Sequence, residues 1–393
     1  MRIHQKTLAE LWAPQPSHLF QGAKAFKAGL VFGGKTIEEG DLAVHVTLSD
    51  PERFGDQAEQ ARERSRSEKD AVFWVGEIDE NFARDVEELH RSDEMLSRRS
   101  HGTQGRSEAT LAAEERRRRQ RSQEEVRRRL KDALLSGSVY FRGNDRSPPE
   151  GTRELKPAVE QLLERVLPEV FNRFEDGAAR VKLKDLEALL SAENLRGLPS
   201  VFSELQLVTT QSGQDAFNTE SGPLAELLAR IRNRADYGDP TSGKSLAEDF
   251  AREPYGWDFE VVRLMAASLL RAGQVEMRSQ NQTIESARTL EAKNVLTNNN
   301  RFRQATFRPR SGGPDATELV DASGHFERIF GKAVRDLEAG SIAMELRAEM
   351  GPIGDRLRQM MVRLATESLP GRETLARAEK LASELQSVTD SQA

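Results

Sequence analysis

The chain contains no cysteine. Disulfides, thiolate zinc sites and cysteine nucleophiles are therefore excluded. Histidine is scarce: the six residues stand at 4, 18, 45, 90, 101 and 325, with no pair at i, i+4 to start a metal site. Aromatic residues make up 6% of the sequence, and no stretch approaches the roughly 20 apolar residues of a membrane span. The opening MRIHQKTLAELW lacks the apolar run of a signal peptide. These absences predict a cytoplasmic protein with no membrane contact.

What is present is charge. Of 393 residues, 31% are charged and 37% hydrophobic, which predicts two or three helix-rich domains rather than one compact barrel. The net charge of −6 excludes a nucleic-acid coat, so any basic face must be local.

One stretch, Gly238–Gly273, carries the chemistry-bearing pattern. Gly238, Gly243, Lys244 and Ser245 satisfy G-x-x-x-x-G-K-[ST], the loop that cradles ATP phosphates with magnesium. A working loop must leave a buried strand and open a helix. Here Leu224, Leu227, Leu228 and Ile231 recur at helical spacing before the motif, and no apolar run ending in Asp follows it. The alternative to a nucleotide site is a polar turn between helices, with Ser242 or Ser245 as cap. Lys244–Glu253 then reads as a helix stopped by Pro254, and Asp258 caps a second helix, Phe259–Ala272, ended by Gly273. Val275–Ser279 and Thr283–Glu285 predict a hairpin, completing a winged-helix outline. Its second helix carries Val261, Val262, Leu264, Met265, Leu269 and Leu270 against two cations, Arg263 and Arg271. Such a helix suits packing or partner binding better than DNA reading.

The segment GKSLAEDFAREPYGWDFEVVRLMAASLLRAGQV, Gly243–Val275, resembles the BrxC/PglY family of P-loop proteins of bacteriophage-exclusion (BREX) systems. Ala71–Val75, the Arg-rich helix around Arg116–Arg129, and Ser138–Gly143 leading to Leu155–Phe174 follow in the same order as in that family, so the likeness spans about residues 35–310. The resemblance implies an antiviral defence role and other BREX proteins as partners. In that family the ATPase motifs lie in an earlier region, so this chain would correspond to a later part, and no nucleotide-binding residue is carried over.

Elsewhere Leu8, Leu11 and Trp12 share a helical face, Leu30–Phe32 is a strand or strand end, and Leu42–Leu48 and Ala71–Val75 read as strands that could lie parallel around a charged helix. Asp79 caps a helix from Glu80, and Ser100–Gly105 reads as a break or flexible tip. Beyond it Arg116, Arg117, Arg118 and Arg119 alternate with glutamates in a solvent-bridging helix or helical hairpin laced by i, i+4 ion pairs, with a duplex DNA phosphate grip as the alternative. Leucine and valine stripes over 155–174 and 183–190 are core. Arg301, Arg303, Arg308 and Arg310 interleave with Phe302 and Phe307 in a polar, Gly-rich stretch, read as a linker, with a nucleic-acid contact as the alternative. Two or three amphipathic helices follow, separated at Gly351-Pro352 and Pro370-Gly371, the last able to pair with another helix or a second copy.

The expected fold is mainly α with a small α/β unit, a charged helical or coiled-coil projection, a helical domain with a winged-helix-like module, and a helical C-terminal tail. The domains expected are 1–100, 101–137, 138–290, a basic linker 291–315, and 316–393. The functional expectation is a non-catalytic scaffolding portion of a BREX complex with weak DNA contact. The alternatives are a P-loop ATPase using Gly238–Ser245, or a free-standing winged-helix DNA-binding regulator.

Overall fold

The computed structural model describes residues 2–99, 106–211, 213–310, 316–366 and 370–388. It separates into two units, Met1–Asn172 and Arg173–Ala393. The first unit runs α1 (Arg2–Trp12), β1 (Ser17–Phe20), β2 (Lys24–Phe32), β3 (Lys35–Glu38), β4 (Leu42–Ser49), α2 (Phe54–Ser67), β5 (Ala71–Glu77), α3 (Glu80–Arg99), α4 (Arg106–Leu135), β6 (Ser138–Phe141), β7 (Asn144–Asp145) and α5 (Leu155–Val170).

Its strands form one sheet in the order β1-β2-β4-β5-β6-β7, with β3 also paired to β2. The neighbours β2, β4 and β5 are parallel, and the remaining pairings are antiparallel. The small α/β unit expected from the sequence is therefore overturned by a seven-stranded mixed sheet that curls into a half-barrel. The reason lies in β2. Phe26, Ala28 and Leu30 are buried, while Lys27 between them is exposed. A half-buried strand of this kind shows only its last apolar residues as a run. The buried Trp12 Nε1 donates to Ala28 O at 2.9 Å, fixing α1 to that strand.

The charged helix is a hairpin with α3, the second of the two forms its sequence allows. The break at Ser100–Gly105 lies outside the described residues. Asp79 Oδ1 accepts from the Phe82 amide at 2.9 Å, starting α3. The seam is largely polar: Ser92 donates to Glu115 at 2.6 Å, Arg119 pairs with Asp93, and Arg129 meets Asp79 and Asp85 at 2.6 and 2.7 Å. Val126, Leu130 and Leu134 are fully buried, and Trp74 Nε1 donates to Leu134 O at 2.8 Å, so the C-terminal half of α4 is core.

The second unit begins with a 3-10 turn, Phe174–Gly177, then α6 (Leu183–Ser191), α7 (Val201–Glu204), the hairpin β8 (Val208–Gln211) and β9 (Gln214–Phe217), and α8 (Gly222–Asp236). β10 (Thr241–Ser242), α9 (Gly243–Ala251), α10 (Phe259–Arg271), β11 (Val275–Ser279) and β12 (Gln282–Ile284) follow. α11 (Leu290–Leu296), α12 (Asn299–Gln304), β13 (Thr306–Pro309), α13 (Ala316–Phe330), α14 (Ala339–Thr366) and α15 (Arg372–Gln386) complete it. α10 is the axis of the unit: every residue from Val261 to Arg271 is buried, with α6, α8 and α9 packed around it. The β11–β12 turn places Gln280 and Asn281 at positive φ, as a two-residue hairpin turn requires.

Two expectations for this unit are corrected. The stretch read as a linker from residue 291 holds α11, α12 and β13, and β13 lies between β10 and β11 in a sheet ordered β10-β13-β11-β12. Its polarity hid short elements: Asn298 caps α12, Phe302 and Phe307 are buried, and Arg308 is exposed in strand alternation. The expected break at Gly351-Pro352 does not occur, since α14 runs through it. There Gly354 lets the helix close on Ala382 and Gln386 of α15, and that packing offsets the hydrogen bond the proline removes.

Candidate functional site

The residues before Gly238 are helix, and the only strand near the motif, β10, lies inside it and pairs antiparallel with β13. Gly243 N–H donates to Ala305 O at 2.9 Å, and Ser245 N–H donates to Ser242 Oγ at 3.0 Å. Two of the motif's amides, Gly243 and Ser245, are thus engaged within the protein. Gly243 is required by packing, because a Cβ there would stand 2.1 Å from Phe302 O. Lys244 is exposed and lies 3.7 Å from Glu248 one turn on. The geometry is that of a capped helix start wedged against α12, with Ser242 as the cap.

The PYGW stretch is a second packed junction. Trp257 is fully buried, stacks on Phe250 at 4.8 Å and 5°, and donates its Nε1 to Arg173 O at 3.1 Å. Gly177 lies flat against the indole, where a Cβ would come within 2.5 Å of Cδ1. Tyr255 packs against both rings and donates its hydroxyl to Glu226, which also holds Arg173 at 2.8 Å. Burial alone would raise the Glu226 carboxyl, but hydrogen bonds from Tyr255 and Arg173 outweigh it and hold the group below its usual range. Burial and the same carboxylate push the Tyr255 hydroxyl up.

The two cations of α10 are both turned inward. Arg263 is held by Glu260 and Asn299. Arg271 forms a bidentate pair with Glu338, at 2.9 and 3.0 Å, and also donates to Leu189 O. Glu338 is 3% exposed, meets Arg288 at 3.4 Å and accepts from Ser341 at 3.2 Å. Asp336, fully buried beside it, accepts from the Leu195 amide at 3.0 Å, and burial raises its carboxyl. This charged node was missed from sequence because Arg271 and Glu338 lie 67 residues apart and neither sits in a recognisable pattern.

The remaining arginines are dispersed. Arg116, Arg117 and Arg118 are exposed without an ion pair among the described residues, whereas Arg119 is bound to Asp93. The i, i+4 pairing expected of this helix is found at its C-terminal end, in Glu125–Arg129 and Arg128–Asp132, and not at Arg116–Arg118, where Glu115 accepts instead from Ser92. Arg301, Arg303 and Arg308 are exposed, Arg303 lying 4.5 Å over the Phe259 ring, and Arg310 reaches Glu285 at 3.5 Å. Phe302 and Phe307 face the core and are closed to stacking bases.

No group of three or more His, Asp or Glu among the described residues is placed to hold a metal ion. No helix among them is long and apolar enough to cross a membrane.

Residues 198–311 match the family model of the BREX ATP-binding protein BrxC winged helix-turn-helix domain. The matched span starts just before α7 and ends just past β13, so it includes the inserted strand. Over these residues the match bears out the BrxC-like resemblance read from the sequence. No solved structure matches the chain.

Proposed function

Proceeding from a chain that carries a BrxC winged helix-turn-helix domain, we propose that it is a non-catalytic scaffolding portion of a cytoplasmic BREX complex, joining other BREX proteins. The observation that supports this reading is the burial of α10. In winged-helix DNA readers the second helix of the pair offers its side chains to the major groove. Here that helix has no free side chain from Val261 to Arg271, and both of its cations are consumed internally. A module built this way is a packing core that presents its outer surfaces to partners. The test is co-elution of the full chain with the other proteins of a BREX system in size-exclusion chromatography. A shared peak is expected; a chain that elutes alone from every mixture would refute the reading.

A weak duplex contact belongs to the same proposal and falls to α4, where Arg116, Arg117 and Arg118 have no ion-pair partner among the described residues. Replacing these three with Gln should lower affinity for a duplex of arbitrary sequence. The salt dependence should also flatten, by about 0.9 in log–log slope for each phosphate no longer neutralised. An unchanged slope in a fluorescence-anisotropy titration would remove DNA from the proposal.

A further inference from the structure

In helix-turn-helix readers the N-terminal residues of the second helix contact the base edges. Here that end of α10 lies under α12. Phe302 packs edge-on against Phe259 at 5.5 Å, Asn299 accepts a hydrogen bond from Arg263, and Arg303 lies 4.5 Å over the Phe259 ring. α12 reaches this position because it belongs to an insertion. After the hairpin β11–β12 the chain forms α11 and α12, and only then returns as β13 to pair with β11 and β10. The side of α12 turned away from α10 therefore stands where α10 would meet a groove.

That side has the chemistry of a groove-reading helix. Phe302 is fully buried and marks the inward direction. At about 100° per residue, Asn300 and Gln304 point opposite to it, side by side at i, i+4, while Arg301 and Arg303 project to the two flanks. All four are exposed. Neither amide side chain has a hydrogen-bond partner, and neither guanidinium has an ion pair, among the described residues. No acidic residue occurs from Ala292 to Arg310. The carboxylates of the neighbouring elements are largely engaged: Asp258 caps α10, Glu260 holds Arg263, and Glu248 of α9 is paired with Lys244. α11 adds one acid, Glu291, and one cation, Lys293. Arg308 is not counted in this face, since it stands across the strand pair from Glu276.

We propose that α12 is a base-contacting helix for double-stranded DNA, taking the place of the buried α10. The major groove of B-DNA, about 12 Å wide, admits a helix of about 10–12 Å diameter. In that setting the two central amides face the base edges, each able to bridge N6 and N7 of one adenine. The flanking guanidiniums meet the phosphates of the two strands and fix the register. The deep, narrow major groove of A-form RNA does not admit such a helix. This contact is separate from the phosphate contact at α4 and adds a sequence preference that Arg116–Arg118 do not supply.

The test is selection of the full chain against a random-sequence duplex DNA library, followed by anisotropy titration of the enriched duplex and of an arbitrary one. The expected result is an adenine-containing site bound about tenfold or more tighter than the arbitrary duplex. Asn300→Ala with Gln304→Ala should abolish that margin and leave the arbitrary duplex unchanged. Arg301→Gln with Arg303→Gln should weaken both and flatten the salt dependence by about 1.8 in log–log slope, at about 0.9 per phosphate. Replacing Arg116, Arg117 and Arg118 with Gln should leave the margin intact, so failure at α4 and failure at α12 are distinguishable. All these positions are exposed, so circular dichroism and Tm should stay at their wild-type values. A library without enrichment overturns the proposal, as does a margin that survives Asn300→Ala with Gln304→Ala. Equal binding of a duplex RNA of the enriched sequence overturns it too.

Discussion

Glu338→Ala is expected to destabilise the second unit by about 3–5 kcal/mol, the cost of leaving a buried charge without its partner. The side chains of Arg271 and Glu338 are 1% and 2% exposed, so water cannot take over when the carboxylate is removed. Arg271 would keep Leu189 O but lose both oxygens of its bidentate pair, and Arg288 and Ser341 would lose a partner as well. The control is Lys332–Glu349, a 2.6 Å pair at the surface, where Glu349→Ala should cost at most about 1 kcal/mol. The double change Arg271→Met with Glu338→Leu should recover much of the loss, because removing both charges removes the desolvation problem. Urea unfolding followed by circular dichroism measures all three. A Glu338→Ala midpoint indistinguishable from that of the surface control would show that the node is hydrated and does not hold the unit together.

The second large effect separates the two readings of Gly238–Ser245. Gly243→Ala forces a methyl group to 2.1 Å from Phe302 O, a backbone atom that can yield only if α12 moves. Overpacking of this kind costs about 1–3 kcal/mol, and the loss should be large because the obstruction is not a flexible side chain. Lys244→Ala removes an exposed side chain whose 3.7 Å neighbour is also exposed, so stability should change by no more than about 0.5 kcal/mol. A phosphate loop predicts another pattern: Mg-ATP would bind, and Lys244→Ala would abolish it. Calorimetry of the wild-type chain should give no saturable heat with Mg-ATP. Saturable binding lost in Lys244→Ala would make Gly238–Ser245 a nucleotide site and the chain an ATPase candidate.

Legibility in the sequence followed the range of the interaction. Asp79, Ser242 and Asp258 start helices through bonds to amides two or three residues on, and each could be read from its own neighbourhood. The helix, turn, helix and hairpin of 243–285 are equally local, and they lie within the residues that match the BrxC winged-helix model. β2 was only partly legible because Lys24 and Lys27 interrupt its apolar residues, and its neighbour in the sheet lies across a turn and another strand. β13 was illegible for a similar reason. Thr306-Phe307-Arg308-Pro309 becomes a strand because β10 and β11 offer it hydrogen bonds on both sides.

The candidate site divides along the same line. The absence of cysteine alone excluded thiol chemistry, and helical periodicity alone marked α10 as apolar. Whether its two arginines were free could not be known without tertiary structure, since Asn299 and Glu338 reach them from 36 and 67 residues away. Likewise Phe302 and Phe307, interleaved with arginines, have the spacing of a base-stacking strip, and only their burial against each other, with Phe259 on Phe302, decides otherwise. A sequence specifies which groups are available within a turn or two of one another. Burial, and with it whether a charge is free for a partner or already committed, is set by contacts that only the folded chain brings together.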